Sequence, residues 1–175
     1  MKLNTDQIQR IHIVDDIEGN IVSLEATLES LSNIEVDTAS DGWEAAQLIK
    51  ENHYSLLLVD VQMPGMDGFQ LYELVRKSPN FEKVPVVFIS ANYIQDADIE
   101  EAFGSGAWDY LVKPFCPDFL RAKVRTYLEW DRTNSELKSA EQKLENCLTI
   151  TNVMKAGKLQ IEDATEHLQN ILQDN

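Results

Sequence analysis

Cysteine is scarce in this 175-residue sequence: only Cys116 and Cys147 are present, far apart, without a CxxC pair or a histidine-rich neighbourhood. Such spacing excludes a disulfide scaffold and a thiolate zinc site, and leaves two reduced, incidental thiols. Basic residues are also few, 15 Lys and Arg against 30 Asp and Glu, for a net charge of −15. A surface of that sign repels nucleic-acid phosphates and anionic headgroups, so neither direct nucleic-acid binding nor membrane association is expected. No run approaches the ~20 apolar residues that cross a bilayer, and Met1-Lys2-Leu3-Asn4-Thr5-Asp6 lacks the apolar stretch of a secretory signal. The expected location is therefore the cytoplasm. Seven glycines and five prolines form no tract that would mark disorder.

What the chain does have is 43% hydrophobic residues, enough for one domain-sized core with an appendage. From residue 10 to about 130, β-branched apolar runs alternate with stretches of helical period, the pattern of βα units wound around a parallel sheet. Expected strands are Ile11–Val14, Glu35–Ala39, Leu56–Asp60, Val86–Ser90 and Tyr110–Val112, the last reached through the turn Gly104-Ser105-Gly106. The first helix places Ile21, Leu24, Leu28 and Leu31 on one face. The second, capped by Asp41, runs to about Asn52 and turns Trp43, Ala46 and Ile49 or Lys50 inward. The expected fold is α/β, a doubly wound five-stranded parallel sheet with a long C-terminal helical extension. In such a sheet the ligand site lies beyond the carboxyl ends of the strands.

After Lys113-Pro114-Phe115 a helix is expected from Pro117, with no Gly or Pro before Gly157. Its later part carries Leu137, Ala140, Leu144, Cys147, Thr151 and Met154 at spacings of three and four, a short heptad stripe suited to pairing with a second copy, the preceding domain or the last helix. Residues 156–159 should break it, after which Ile161, Ala164, Leu168 and Ile171 or Leu172 mark another amphipathic segment. The chain thus divides into a domain over 8–130 and a helical extension over 131–175.

Polar residues stand at the carboxyl ends of successive expected strands: Asp15 and Asp16, then Asp60, Ser90 and Lys113. Three carboxylates on one rim repel each other unless a cation lies among them, and oxygen donors without His or Cys favour a hard ion such as Mg2+. Such a site is prepared for phosphoryl oxygens. Asp60, ending the most central strand, is the candidate nucleophile; Asp15 and Asp16 are left to hold the metal. Lys113 is placed to stabilise transferring charge, and Ser90 offers a hydroxyl to another phosphoryl oxygen. Singly, each has a bland reading: an Asp pair after a strand is commonly a turn and helix cap, and a lone Ser or Lys is commonly structural or solvated. Their joint placement carries the argument.

The blocks Val14-Asp15-Asp16, Leu58-Val59-Asp60-Val61-Gln62-Met63-Pro64-Gly65-Met66-Asp67-Gly68, Phe88-Ile89-Ser90-Ala91 and Gly106-Ala107-Trp108-Asp109-Tyr110-Leu111-Val112-Lys113-Pro114-Phe115 occur in an order that resembles the receiver domain of two-component response regulators. The resemblance implies a flavodoxin-like strand order 2-1-3-4-5 and phosphorylation of Asp60 by a histidine kinase or a phosphotransfer protein. It further implies Mg2+ held by Asp16, Asp60 and the Gln62 carbonyl with Asp15 assisting, Ser90 and Lys113 on the phosphoryl group, and a cis Lys113-Pro114 bond. Ser90 and Tyr110 take the places of the family's switch pair, and output is expected through the fourth helix, fifth strand and fifth helix, by protein interaction or homodimerisation through the C-terminal helices. The chain is read as a signalling phosphoacceptor, possessing at most self-dephosphorylation, rather than as an enzyme.

Two other readings stand beside this one. The chain could serve as a phosphorelay intermediate, passing phosphate to a phosphotransfer protein, with the rod a mere appendage. A metal-dependent phosphohydrolase is the third, but it requires a general acid or base near Asp60, and His12, His53 and His167 fall mid-strand, at a helix end and in the tail. His12 and the rings of Trp43, Trp108 and Trp130 are expected to be packing groups.

Overall fold

A computed structural model describes residues 8–77, 81, 83–91 and 108–155, the side chains of 154 and 155 excepted. The strands are β1 (Gln9–Val14), β2 (Ile34–Ala39), β3 (Leu56–Asp60), β4 (Val86–Ser90) and β5 (Asp109–Val112); the helices are α1 (Glu18–Leu28), α2 (Gly42–Glu51), α3 (Gly68–Arg76) and α4 (Pro117–Lys155). All strand pairs are parallel and the order is β2-β1-β3-β4-β5, as expected. The connection from β4 to β5 with its Gly104-Ser105-Gly106 turn, the break expected at 156–159 and the segment after it, His167 included, lie outside the described residues.

Every residue of β3 and of β4 is buried, because a parallel sheet with helices on both faces leaves no wet side. Alternate residues feed two cores. One gathers Val14, Leu57, Val59, Val86 and Phe88 with Ala45, Ala46 and Ile49 of α2 and Leu71 and Val75 of α3. The other gathers Ile11, Ile13, Leu56, Leu58, Val87, Ile89 and Leu111 with Leu24 and Leu28 of α1 and Leu120, Val124 and Leu128 of α4.

Helix α2 departs from expectation in its rotation. Asp41 caps it, accepting from the Trp43 and Glu44 N–H groups at 2.7 and 2.9 Å, but its buried stripe is Gly42, Ala45, Ala46 and Ile49. Trp43 is 66% exposed. The reason is the close approach of Gly42 to the loop after β3, where a Cβ would lie 2.8 Å from Met66. With position 42 turned inward, 45, 46 and 49 follow at helical spacing, and position 43, one residue round the helix, faces solvent.

Contacts divide the chain into units Met1–Asp131 and Arg132–Asn175. Within the first, the Gln9 side-chain amide donates to the Leu128 carbonyl of α4 at 2.8 Å. Within the second, Leu137, Leu144 and Leu148 are 55, 65 and 64% exposed; Ala140 and Thr151 are exposed as well, and Cys147 is partly buried.

Candidate functional site

The carboxyl ends of β1, β3, β4 and β5 bring the expected residues to one edge of the sheet. Asp15 directly follows β1, Asp60 ends β3, Ser90 ends β4 and Lys113 directly follows β5. Asp15, Asp60 and Ser90 are almost wholly buried, at 1, 6 and 0% exposure. The Lys113 ammonium lies between the two carboxylates, donating to Asp15 Oδ2 and to Asp60 Oδ1 at 2.7 Å each. The Lys113-Pro114 peptide is cis, as expected, and the Lys113 N–H donates to the Ser90 carbonyl at 2.7 Å.

Backbone geometry at the end of β3 is set by glycine. Gly68, the first residue of α3, sits so close that a Cβ would fall 2.4 Å from the Asp60 carbonyl oxygen, so only glycine lets the helix start against the site. Gly65 in the same loop has φ +80°, the left-handed region that favours glycine. This turn delivers the Gln62 N–H to Asp60 Oδ2 at 2.8 Å.

The electrostatics are unequal. Burial raises the Asp60 carboxyl above its ordinary 3.8, more than hydrogen bonding and attraction from Lys113 bring it down, and Asp15 adds repulsion. Burial alone would lower the Lys113 ammonium, but its bonds to Asp15 and Asp60 outweigh this and hold it above its ordinary value. Two carboxylates share one cation.

The third acid has different surroundings. Asp16 is exposed, and among the described residues no three His, Cys, Asp or Glu side chains form a ready metal cage. The physical reason is strand alternation with a turn at its end: Asp15 points into the sheet edge, where Lys113 takes it up, and its neighbour is left on the solvent side. Gln62 is likewise exposed. Ser90 stands opposite Val112, and Tyr110 opposite Phe88, so Ser90 and Tyr110 share a sheet face on adjacent strands; Tyr110 is partly buried against the first core. His12 is fully buried, stacked on Tyr54 at 4.7 Å between centroids, with Nδ1 3.1 Å from the Asp37 carbonyl. His53 is exposed.

Sequence reasoning missed two features. Asn20, in the first turn of α1, donates its amide to Asp15 Oδ1 at 2.9 Å; the only signal was an asparagine five positions after the acid. The second is a cluster on β5 and α4: Asp109 accepts from the Lys123 ammonium, the Tyr127 hydroxyl and the Tyr110 N–H. Trp108 meets the rings of Tyr127 and Trp130 edge-on, at 6.1 and 4.1 Å, so those two tryptophans pack as expected while Trp43 does not.

The sequence pattern of the response regulator receiver domain matches residues 11–125. The chain belongs to that family. It is therefore a receiver domain of two-component signalling, in which such domains interact with histidine kinases or phosphotransfer proteins. It is 33% identical to the response regulator Rre1 of Synechocystis over 82% of this chain and 62% of that protein, and 38% identical to the response regulator PleD of Caulobacter vibrioides over 75% of this chain and 29% of that protein. The receiver thus spans less than two thirds of either relative. Among solved structures, the receiver domain of the sensor histidine kinase PA1611 of Pseudomonas aeruginosa, which has a magnesium ion coordinated in its active-site cleft, matches with a TM-score of 0.63 and 30% identity, covering 70% of this chain and 98% of that one. A putative response regulator of Chloroflexus aurantiacus matches with a TM-score of 0.64 and 36% identity, covering 70% and 99%. No helix among the described residues is long and apolar enough to cross a membrane.

Proposed function

We propose that this receiver, over residues 8–130, takes a phosphoryl group on Asp60 from a histidine kinase or a phosphotransfer protein and converts it into a change of protein association. The observation that carries the reading is the Lys113 ammonium held at 2.7 Å from both Asp15 and Asp60 at the end of the central strand. An Asp60 carboxylate oxygen forms the new O–P bond as the donor's P–N bond breaks and its imidazole leaves; acetyl phosphate would lose acetate instead. Lys113 stabilises charge on the phosphoryl oxygens, and the Ser90 hydroxyl takes one of them.

Mg2+ suits the donor set. Asp15, Asp16 and Asp60 carry three negative charges against the one positive charge of Lys113, and the exposure of Asp16 and Gln62 leaves room for water. Magnesium keeps several waters and is usually held by one or two carboxylates plus phosphoryl oxygens, so an incomplete protein cage fits it better than a closed one would. Asp16, Asp60 and the Gln62 carbonyl would hold the ion, with Asp15 assisting; when bound it neutralises charge on the phosphoryl group. Asp60→Asn is expected to abolish labelling by acetyl phosphate in the presence of Mg2+, and persistent labelling excludes Asp60 as acceptor.

Output passes from Ser90 to Tyr110, which share one sheet face, through the surface of the expected fourth helix, β5 and α4, the expected fifth helix, whose extension over 131–175 pairs with a second copy. The exposed Leu137, Leu144 and Leu148 support that partner, since apolar side chains at helical spacing gain by mutual burial. Light scattering of the beryllofluoride-treated chain should show twice the monomer mass, and Leu144→Asp should return it to the monomer; unchanged mass in both sinks the pairing.

A further inference from the structure

The Asp15 carboxylate is more constrained than its neighbours. Its Oδ1 accepts two hydrogen bonds, from the Ile17 N–H at 3.0 Å and from Asn20 Nδ2 at 2.9 Å. Its Oδ2 accepts the Lys113 ammonium at 2.7 Å. A carboxylate oxygen has two lone-pair directions, so Oδ1 is saturated and Oδ2 retains one. Because an ionised carboxylate only accepts, the Asn20 amide must present its nitrogen, and the contact has one polarity.

From this geometry we propose that Asn20 is a positioning residue for phosphoryl transfer, resting on the reading of Asp60 as acceptor. Its amide locks the Asp15 rotamer so that Oδ2 faces Lys113, and Lys113 is thereby aimed at Asp60 Oδ1. The chain of contacts runs Asn20, Asp15, Lys113, Asp60, each link within 2.9 Å.

The test is a Mg2+ titration of acetyl-phosphate labelling on the full chain, separating apparent metal affinity from the rate at saturating metal. Asn20→Ala is expected to slow the saturated rate roughly tenfold, since small misplacements of catalytic groups are costly, while apparent Mg2+ affinity changes much less. Asn20→Asp keeps the size but loses the donors and should slow the rate at least as much. In a Lys113→Ala background the Asn20→Ala substitution should cost nothing further, because the two act through one chain. A saturated rate unchanged by Asn20→Ala, or effects of the two substitutions that simply multiply, overturns the proposal; a residue that only stabilises α1 gives that result, with a lowered Tm. Labelling of wild type that disappears in Asp60→Asn shows that the underlying reading stands even then.

Discussion

Two aspartate–lysine sites among the described residues look alike and are electrostatically opposite. Asp60 and Asp15 share the single ammonium of Lys113, whereas Asp109 has Lys123, the Tyr127 hydroxyl and the Tyr110 N–H to itself. At Asp60 burial prevails and the carboxyl is raised above 3.8; at Asp109 burial also opposes ionisation, but the hydrogen bonds of Lys123 and Tyr127 outweigh it and the carboxyl is lowered. An under-neutralised acid has a use for an additional cation and for covalent capture of phosphorus. A saturated one ties β5 to α4 and has nothing left to offer a ligand.

The sharpest way to break this contrast is Lys113→Ala, expected to slow acetyl-phosphate labelling roughly 100-fold or more, as loss of a charge-stabilising donor does elsewhere. If labelling survives at the wild-type rate, Lys113 is a structural counter-ion like Lys123. Asp109→Asn should destabilise the fold by about 1–2 kcal/mol in urea unfolding at neutral pH, while the folded variant still labels at Asp60. Tyr127→Phe removes one donor of that cluster and should cost about 1 kcal/mol. The subtlest effect is in pH dependence without divalent cation. The lowered Asp109 stabilises the fold above its ordinary 3.8, and that contribution is lost as pH falls through its lower folded value. The raised Asp60 favours the fold below 3.8 and loses that contribution as pH rises through its higher folded value. Asp109→Asn should therefore lose its disadvantage on acidification, while Asp60→Asn should gain on wild type as pH rises towards neutrality; parallel trends in thermal melts would show the two sites to be equivalent.

Much of this was legible in the linear chain. The runs 56–60 and 86–90 read as strands because apolar, β-branched-rich segments of that length suit a parallel sheet, and both bounds agree with the structure. Asp60, Lys113 and Ser90 were legible because strand ends in a parallel sheet share an edge. Trp43 was misread because periodicity gives the spacing of a helical stripe but not its rotation, which the contact of Gly42 with Met66 settles. The contrast between buried Asp15 and exposed Asp16 was not legible, since adjacent residues in sequence need not point the same way. The Asp109 cluster was invisible: its members lie on different elements, with side-chain separations of 14 and 18 residues.

Residue order alone decided the alternation of strands and helices, the parallel sheet and the identity of the acids at its edge, because these follow from local apolar period and from turn chemistry. Tertiary packing decided which acid meets which ammonium and which face of a helix turns inward. Those outcomes depend on ångström-scale approaches between distant segments, such as Gly68 against the Asp60 carbonyl, and on how many donors reach each buried carboxylate, quantities that no local pattern encodes.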